Sequence, residues 1–331
     1  MANLKLPFKN DKNIIFNKIK QFFKGEELKM KHLFFFLLLL IFSFMNLEES
    51  RAYTFQVLDY NNLETVLLDI NDNGQIVGTS DNKGLFYDPV NGFQALSYQN
   101  YTTNFLGINN NGQIVGTYLD INNANHGIIY DSNNGFQVLD YNNFETVLYD
   151  INSSGQIVGA YKDSSDNVHG LLYDPINGFQ TLDYQNFNTT FLGINNNGQI
   201  VGTYYQNNTD YHGLFWDPNN GFQVIDYQNN QTVLNGINDN NQMVGYYMTN
   251  TITGLVYNKN SGFTPISYQN YATAILGINN NDQIVGTYSS NFLHGLVGNP
   301  TSPTNVPEPT SIILLTSGIG IIFFIKRKIS K

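Results

Sequence analysis

Between residues 53 and 300, short apolar runs alternate with polar turns at a regular spacing. One period contains four such runs, for example TTFLGIN at 189–195, GQIVGTY at 198–204, HGLFWD at 212–217 and GFQVIDY at 221–227. Runs of this length that are rich in Val, Ile, Phe and Tyr and bounded by Asn, Gly, Asp and Pro are typical of β-strands. No stretch of ten or more residues in this region has a helical period. The pattern predicts an all-β body.

Two phrases set the period at about 43 residues. GINNNGQIVGTY stands at 107–118 and again at 193–204, GINNNDQIVGTY stands at 277–288, and weaker copies lie at 68–80, 149–161 and 235–247. A second phrase, FQVLDY or a variant of it, begins at 55, 93, 136, 179, 222 and 263. Six units of four strands predict a six-bladed β-propeller. The alternative is an open β-solenoid, in which the units stack in a line.

The phase of the repeat favours a closed ring. If a blade begins at the strand that ends in GIN, the first FQVLDY phrase (55–60) is a fourth strand without its own blade. The last unit correspondingly ends at its third strand, HGLVGN (294–299). We therefore predict that the N-terminal strand completes the last blade, which removes exposed sheet edges.

The repeated residues are predicted to be structural. The position before the shared Gln needs a positive φ, because its occupants tolerate a left-handed backbone. These occupants are Gly74, Gly112, Gly155, Gly198, Asn241 and Asp282. A later glycine of the same phrase, Gly202 in the fourth copy, is expected to let a neighbouring sheet approach closely.

Four histidines recur before a glycine, and we interpret them as hydrogen-bonding braces within blades. They are His126, His169, His212 and His294. A metal site is the alternative, but equivalent positions of a ring cannot converge on one ion unless they line the axial channel. DINDNG (69–74) begins like a calcium loop, yet its twelfth position is Ser80 instead of Glu, so we interpret it as a hairpin turn, with bound calcium as the alternative. We predict neither a metal nor another cofactor.

Composition excludes two classes of protein. The chain of 331 residues has no cysteine, so no disulfide or thiolate chemistry is available. The body holds only Lys83, Lys162 and Lys259 against 20 Asp and Glu, a net charge near −17. Such a surface repels phosphate backbones, and we predict no nucleic-acid binding.

Residues 30–52 have the pattern of a secretory signal peptide. A basic start at Lys31 precedes a stretch of 13 residues (33–45) that is apolar except for Ser43, and a small-residue exit follows, which predicts cleavage after Ala52. A membrane anchor is the alternative, although 13 residues are short of the ~20 needed to span a bilayer. Residues 1–29 are an unexplained extension, for which a misassigned start codon upstream of Met30 is one explanation.

The C-terminal segment has three parts in a fixed order. The linker 301–309 ends in Val306, Pro307, Glu308 and Pro309, and the segment 310–331 continues with mostly apolar residues and a basic end. The basic residues are Lys326, Arg327 and Lys328. This tail resembles the PEP-CTERM sorting signal. The resemblance implies that an exosortase recognises the chain at the inner membrane, that the hydrophobic segment sits in the membrane before processing, and that a bacterium delivers the protein to its surface or outer envelope. A plain membrane anchor is the alternative.

The units of the body resemble the HAF repeat family. The matching pieces are GINNNGQIVG and the downstream His-Gly pairs, from which copies one and five depart with Lys83-Gly84 and Thr253-Gly254. The resemblance covers nearly all of 53–300. It implies an extracellular repeat module and no established reaction.

Two classes of function fit these observations. The residues that break the repeat, such as Lys83, Trp216 and Met243, include no distinct pair of carboxylates and no nucleophile with a base. We therefore expect a secreted or surface-sorted protein that is not an enzyme and binds extracellular polysaccharide or another envelope component through a polar Asn/Gln/Tyr face. The alternative is a carbohydrate-active propeller enzyme, a hydrolase or lyase, with Asp120 or Asp163 as its acid.

Overall fold

The structure is a computed structural model that describes residues 52–206 and 210–301. The predicted extension, the signal peptide up to Arg51, and the sorting signal from Val306 to the basic end lie outside the described residues. No helix in the described part of the chain is long and apolar enough to cross a membrane.

Twenty-four strands form six antiparallel sheets of four strands each in this part of the chain. The strands of blades 1 to 3 are β2 (Val66–Ile70), β3 (Ile76–Ser80), β4 (Lys83–Asp88), β5 (Gly92–Leu96), β6 (Thr103–Ile108), β7 (Ile114–Leu119), β8 (Asn125–Asp131), β9 (Gly135–Val138), β10 (Glu145–Ile151), β11 (Ile157–Lys162), β12 (Val168–Asp174) and β13 (Gly178–Thr181). Those of blades 4 to 6 are β14 (Asn188–Ile194), β15 (Ile200–Gln206), β16 (Asp210–Asp217), β17 (Gly221–Val224), β18 (Gln231–Ile237), β19 (Gln242–Met248), β20 (Ile252–Asn258), β21 (Gly262–Ile266), β22 (Ala272–Ile278), β23 (Ile284–Ser289) and β24 (Leu293–Pro300), joined by β1 (Tyr53–Val57).

The sixth blade closes the ring. Its strand order is β1-β24-β23-β22, and the register pairs Tyr53 with Pro300 and Val57 with Leu296. The N-terminal strand therefore supplies the outer strand of the last blade. The prediction of a closed six-bladed propeller is confirmed, and the open solenoid is wrong.

The first strand of every blade lines the axis and carries a one-residue β-bulge. In blade 4 the register between β14 and β15 shifts between Phe191 and Gly193, so Leu192 is the extra residue. A bulge of this kind bends the strand and re-aims its side chains. The same shift occurs in all six inner strands.

The core lies between neighbouring blades. Val158 of blade 3, for example, packs with Phe191, Ile200 and Leu214 of blade 4. The glycine expected to admit a neighbouring sheet has a different neighbour. A Cβ built on Gly202 would lie 2.1 Å from the carbonyl oxygen of Thr190, which belongs to the inner strand of the same blade. That expectation was therefore wrong: the bulge brings the inner strand, and not the next blade, against this glycine.

Candidate functional site

The turns between first and second strands lie on one side of the ring, which we call the asparagine face. The last residue of each GIN or DIN phrase is a buried asparagine on this side: Asn71, Asn109, Asn152, Asn195, Asn238 and Asn279. Each Nδ2 donates to the backbone carbonyl of the equivalent asparagine in the next blade, at 2.9–3.2 Å. The bond from Asn279 to Asn71 completes the circle at 2.9 Å. The asparagines therefore form a continuous hydrogen-bonded ring around the axis.

The turn that follows each asparagine has the predicted backbone. Gly74, Gly112, Gly155 and Gly198 have φ of 72–81°, and Asn241 and Asp282 have φ of 60° and 61°. The Oδ1 of each ring asparagine accepts hydrogen bonds from the amides two and four residues later, for example Asn197 and Gln199 in blade 4. The DINDNG stretch forms such a turn, in which Asn71 Oδ1 accepts from the amides of Asn73 and Gln75.

Two aspartates stand on the axis below this ring. Asp69 and Asp150 occupy one register position of the inner strands, where the other blades have Gly107, Gly193, Gly236 and Gly277. The amide of Ile108 donates to Asp69 Oδ2 at 2.8 Å, and that of Ile194 donates to Asp150 Oδ2 at 2.8 Å. Both aspartates line the same two spaces on the axis, and each affects the pKa of the other.

The axial aspartates correct an expectation from the sequence. We expected no pair of carboxylates distinct from the repeat, and Asp69 and Asp150 are such a pair. The signal was present as LDIN and YDIN in place of LGIN or NGIN. Burial raises the pKa of Asp69 to about 7, against the opposing effect of its backbone hydrogen bonds. Burial together with the charge of Asp69 raises the pKa of Asp150 well above its usual range.

The opposite side, which we call the loop face, carries the four repeat histidines. Each Nδ1 lies 2.7 Å from an aspartate Oδ2 that follows the outer strand of the same blade, so this nitrogen donates to the carboxylate. The other oxygen of the aspartate accepts from the glycine amide after the histidine. The pairs are His126–Asp140, His169–Asp183, His212–Asp226 and His294–Asp59. Each histidine thus ties the third strand to the segment after the fourth.

The two blades without this histidine also lack its aspartate. Lys83 and Thr253 stand in the histidine position, and Ser97 and Ser267 stand in the aspartate position. The rule that the histidine and the aspartate occur together holds in all six blades only if His294 is paired with Asp59. The structure shows this pair. This covariation is visible in the sequence and is a second indication that the ring closes.

The outer nitrogen of each histidine also has a neighbour. His169 Nε2 lies 3.3 Å from Asp163, and His294 Nε2 lies 3.0 Å from Ser290 Oγ. Burial opposes protonation of His169, but the carboxylates of Asp183 and Asp163 outweigh it and raise the pKa. Within residues 52–206 and 210–301, no group of three or more His, Asp or Glu side chains could hold a metal ion.

The acids considered for catalysis cap their own hairpins. Asp163 accepts from the side chain and amide of Asn167 and from the amide of Ser165, and these bonds lower its pKa to about 2. The amide of Ala124 in the same way holds the pKa of Asp120 below its usual value. A general acid must hold a proton at its working pH, whereas these hydrogen bonds favour the ionised form of both side chains. Trp216 packs against the core of blade 4.

Six tight turns connect successive blades on the loop face. In each, the amide of the fourth residue donates to the carbonyl of the first, a tyrosine, at 2.8–2.9 Å, and both central residues have positive φ. These are the features of a type I′ turn. All twelve central residues are exposed carboxamides: Asn61, Asn62, Gln99, Asn100, Asn142, Asn143, Gln185, Asn186, Gln228, Asn229, Gln269 and Asn270. We call them the amide tips.

Comparison with known proteins places the fold and no more. No protein-family model matches the chain, and no curated protein matches it. Among solved structures, a candidate gluconolactonase is 8% identical, with a TM-score of 0.53, 78% of this chain covered and 96% of that one. A streptogramin B lyase is 10% identical, with a TM-score of 0.47, 75% of this chain covered and 98% of that one. The Aleuria aurantia lectin is 12% identical, with a TM-score of 0.46, 77% of this chain covered and 100% of that one. The chain is thus a six-bladed β-propeller whose likeness to these proteins is one of fold.

Proposed function

We propose that the protein is a non-catalytic binding protein of the bacterial surface, which holds an extracellular polysaccharide through the amide tips of its loop face. One observation carries this proposal: all twelve tip positions have a carboxamide side chain. The backbone alone does not require this. Glycine fits positive φ without strain, yet no tip contains it, and four tips contain Gln, which this conformation does not favour.

The chemistry of the tips suits sugar hydroxyl groups. A carboxamide both donates and accepts hydrogen bonds, and it does so without charge. In three tips the Gln Nε2 donates to the hydroxyl of the preceding tyrosine at 3.0–3.1 Å, as Gln185 does to Tyr184. That bond holds the Gln carboxamide in place through its nitrogen, and the carboxamide oxygen takes no part in it. Six similar tips on one ring would bind a repeating polymer with an avidity that exceeds the affinity of one tip.

An enzyme is less well supported by the geometry. Among the described inner strands, the only acids on the axis that break the repeat are Asp69 and Asp150, and the spaces beside them measure about 60 and 20 Å³. Small-molecule sites usually measure ~300–1,000 Å³. A sugar ring does not fit beside these carboxylates, and the lowered pKa values of Asp120 and Asp163 do not suit a general acid.

The proposed location rests on the two ends of the chain. The signal peptide would export the ring, and the tail beginning at Pro307 would be recognised by an exosortase at the membrane and removed or kept as an anchor. Ala52, the proposed cleavage site, is exposed and directly precedes β1. Its carbonyl accepts a hydrogen bond of 2.9 Å from the amide of Thr301, which directly follows β24.

The test is binding of the secreted protein to a panel of immobilised polysaccharides. Gln185→Gly with Asn186→Gly removes two carboxamides at positions of φ 51° and 62° without backbone strain. The matched control, Ser132→Gly with Asn133→Gly, changes an exposed turn on the asparagine face. We expect binding to fall progressively as more tips are replaced and to stay unchanged in the control. Equal binding by a variant with all six tips replaced, or release of reducing sugar ends by the wild type, would contradict the proposal.

A further inference from the structure

The axial aspartates call for an explanation that binding at the loop face does not supply. At the register position of Asp69 and Asp150, a side chain on an inner strand points towards the next blade. A Cβ built on Gly107 of blade 2 would lie 2.6 Å from Cα of Asp150 in blade 3, and one on Gly277 of blade 6 would lie 2.7 Å from Cα of Asp69 in blade 1. Asp69 and Asp150 lean over blades 2 and 4, whose residues at this level are Gly107 and Gly193. Both carboxyl groups fit because a glycine precedes each of them around the ring: a Cβ on Gly277 would lie 3.0 Å from Asp69 Oδ1, and one on Gly107 would lie 2.9 Å from Asp150 Oδ1.

Each aspartate joins two blades. Asp69 of blade 1 accepts from the amide of Ile108 in blade 2, and Asp150 of blade 3 accepts from the amide of Ile194 in blade 4. Asp150 Oδ1 also accepts from the amide of Ile151 at 2.7 Å. Both carboxyl groups line the same two spaces on the axis, and the hydrogen bond between them contributes to the pKa of each. Carboxylate oxygens only accept hydrogen bonds, so this contact requires a proton on one of them.

The surroundings disfavour charge on the pair. On one side the channel is lined by the bulge residues Leu68, Leu106, Tyr149, Leu192, Asn235 and Leu276. On the other side lie the asparagine ring and, beyond it, two more acids, Asp72 and Asp239. None of the described residues that line these spaces is a Lys, Arg or His. Two ionised carboxylates here would have no counter-charge among the lining residues, and like charges at one site resist double ionisation.

We propose that Asp69 and Asp150 form a proton-binding pair, and that closure of the ring is strongest while the pair holds at least one proton. Loss of the last proton leaves two facing negative charges between blades 1 and 3, which strains the contacts of both aspartates with blades 2 and 4. Alkaline pH therefore destabilises the propeller by weakening the contacts between blades at the axis. The pair binds protons and lies on the axis, away from the amide tips. It is therefore a pH-sensitive element of the fold that is independent of polysaccharide binding.

The sign of the effect follows from linkage. The pKa of each aspartate is higher in the folded protein than in the unfolded chain, so the folded state binds more protons between the two values. Stability from the pair is present below about pH 4 and is lost as the pH rises through about 7 and above. His169 adds a smaller fall in the same direction, because its pKa is also raised.

The experiment measures the melting temperature of the full chain, purified in mild detergent, from pH 5 to 9. We expect the melting temperature of the wild type to fall by roughly 5 °C or more over this range. The melting temperature of the double variant, Asp69→Asn with Asp150→Asn, should fall only by the part due to His169. Asp174→Asn, which removes an acid from an exposed turn, is the charge control and should follow the wild type. Asp69→Gly with Asp150→Gly copies the other four blades and serves if the Asn variant does not fold.

Infrared spectroscopy provides a second measurement that does not depend on unfolding. The wild type at pH 6 should show the carbonyl band of a protonated carboxyl group, and the double variants should lack it. Parallel pH profiles for wild type and double variants would overturn the proposal. So would recovery of alkaline stability by added Ca²⁺ or K⁺ in the wild type alone, because the pair would then be a cation site.

Discussion

Asn195→Ala tests the asparagine ring at one link. The side chain makes four hydrogen bonds: Nδ2 donates to Gln199 Oε1 at 2.8 Å and to the carbonyl of Asn238 at 3.1 Å, and Oδ1 accepts from the amides of Asn197 and Gln199. A net contribution of about 1 kcal/mol for each, with further cost for partners left buried and unpaired, gives a loss of about 3–5 kcal/mol. The bond to Asn238 crosses from blade 4 to blade 5, so the loss falls on the contact between blades.

The assay is urea denaturation followed by tyrosine fluorescence, with Asn197→Ala as the control. Asn197 Nδ2 makes one exposed bond of 3.3 Å to the carbonyl of Asp239, so we expect its loss to cost under about 1 kcal/mol. Asn279→Ala should cost as much as Asn195→Ala, because Asn279 makes the link that joins the last blade to the first. A loss below about 1 kcal/mol for Asn195→Ala would refute the reasoning that the ring is held by these side chains.

Four further predictions concern other parts of the ring. Gly198→Val, at φ 72°, should cost ~1–3 kcal/mol of unfolding free energy, whereas Gly198→Asn should be milder because Asn241 occupies the equivalent turn; equal costs in calorimetry would contradict this. Deletion of residues 53–60 removes β1 and should lower the melting temperature in one cooperative step, and an unchanged value would contradict closure. His169→Gln should remove more stability below about pH 6.5 than at alkaline pH, since the raised pKa makes this contribution fall with rising pH; a loss that is uniform with pH in thermal denaturation would refute it. Mass spectrometry of the secreted protein should find Tyr53 as the first residue and no peptide from 323–331, and detection of that peptide would show a retained anchor.

Local features of the sequence were sufficient to predict the blades. Strand and turn depend on neighbouring residues, so the φ-positive turns at Gly112 and Gly198 and the four runs per unit were visible without a structure. Even closure could be predicted, because the unpaired phrase at 55–60 and the missing fourth strand at the end of the chain are complementary. The sequence also contained the pairing of His294 with Asp59, through covariation among the six copies.

The axial aspartates and the asparagine ring required the tertiary structure. Asp69 and Asp150 lie two units apart in the chain, and each alone reads as a polar residue at the end of a strand. Only the closed ring brings their carboxyl groups together, because the bulge turns this position towards the axis and the glycines of blades 6 and 2 leave room. The repeated asparagine likewise looked like a turn residue, since its bond to the next blade has no counterpart within one unit. Contacts along the strand are set by sequence neighbours, whereas contacts around the axis exist only once six blades have closed.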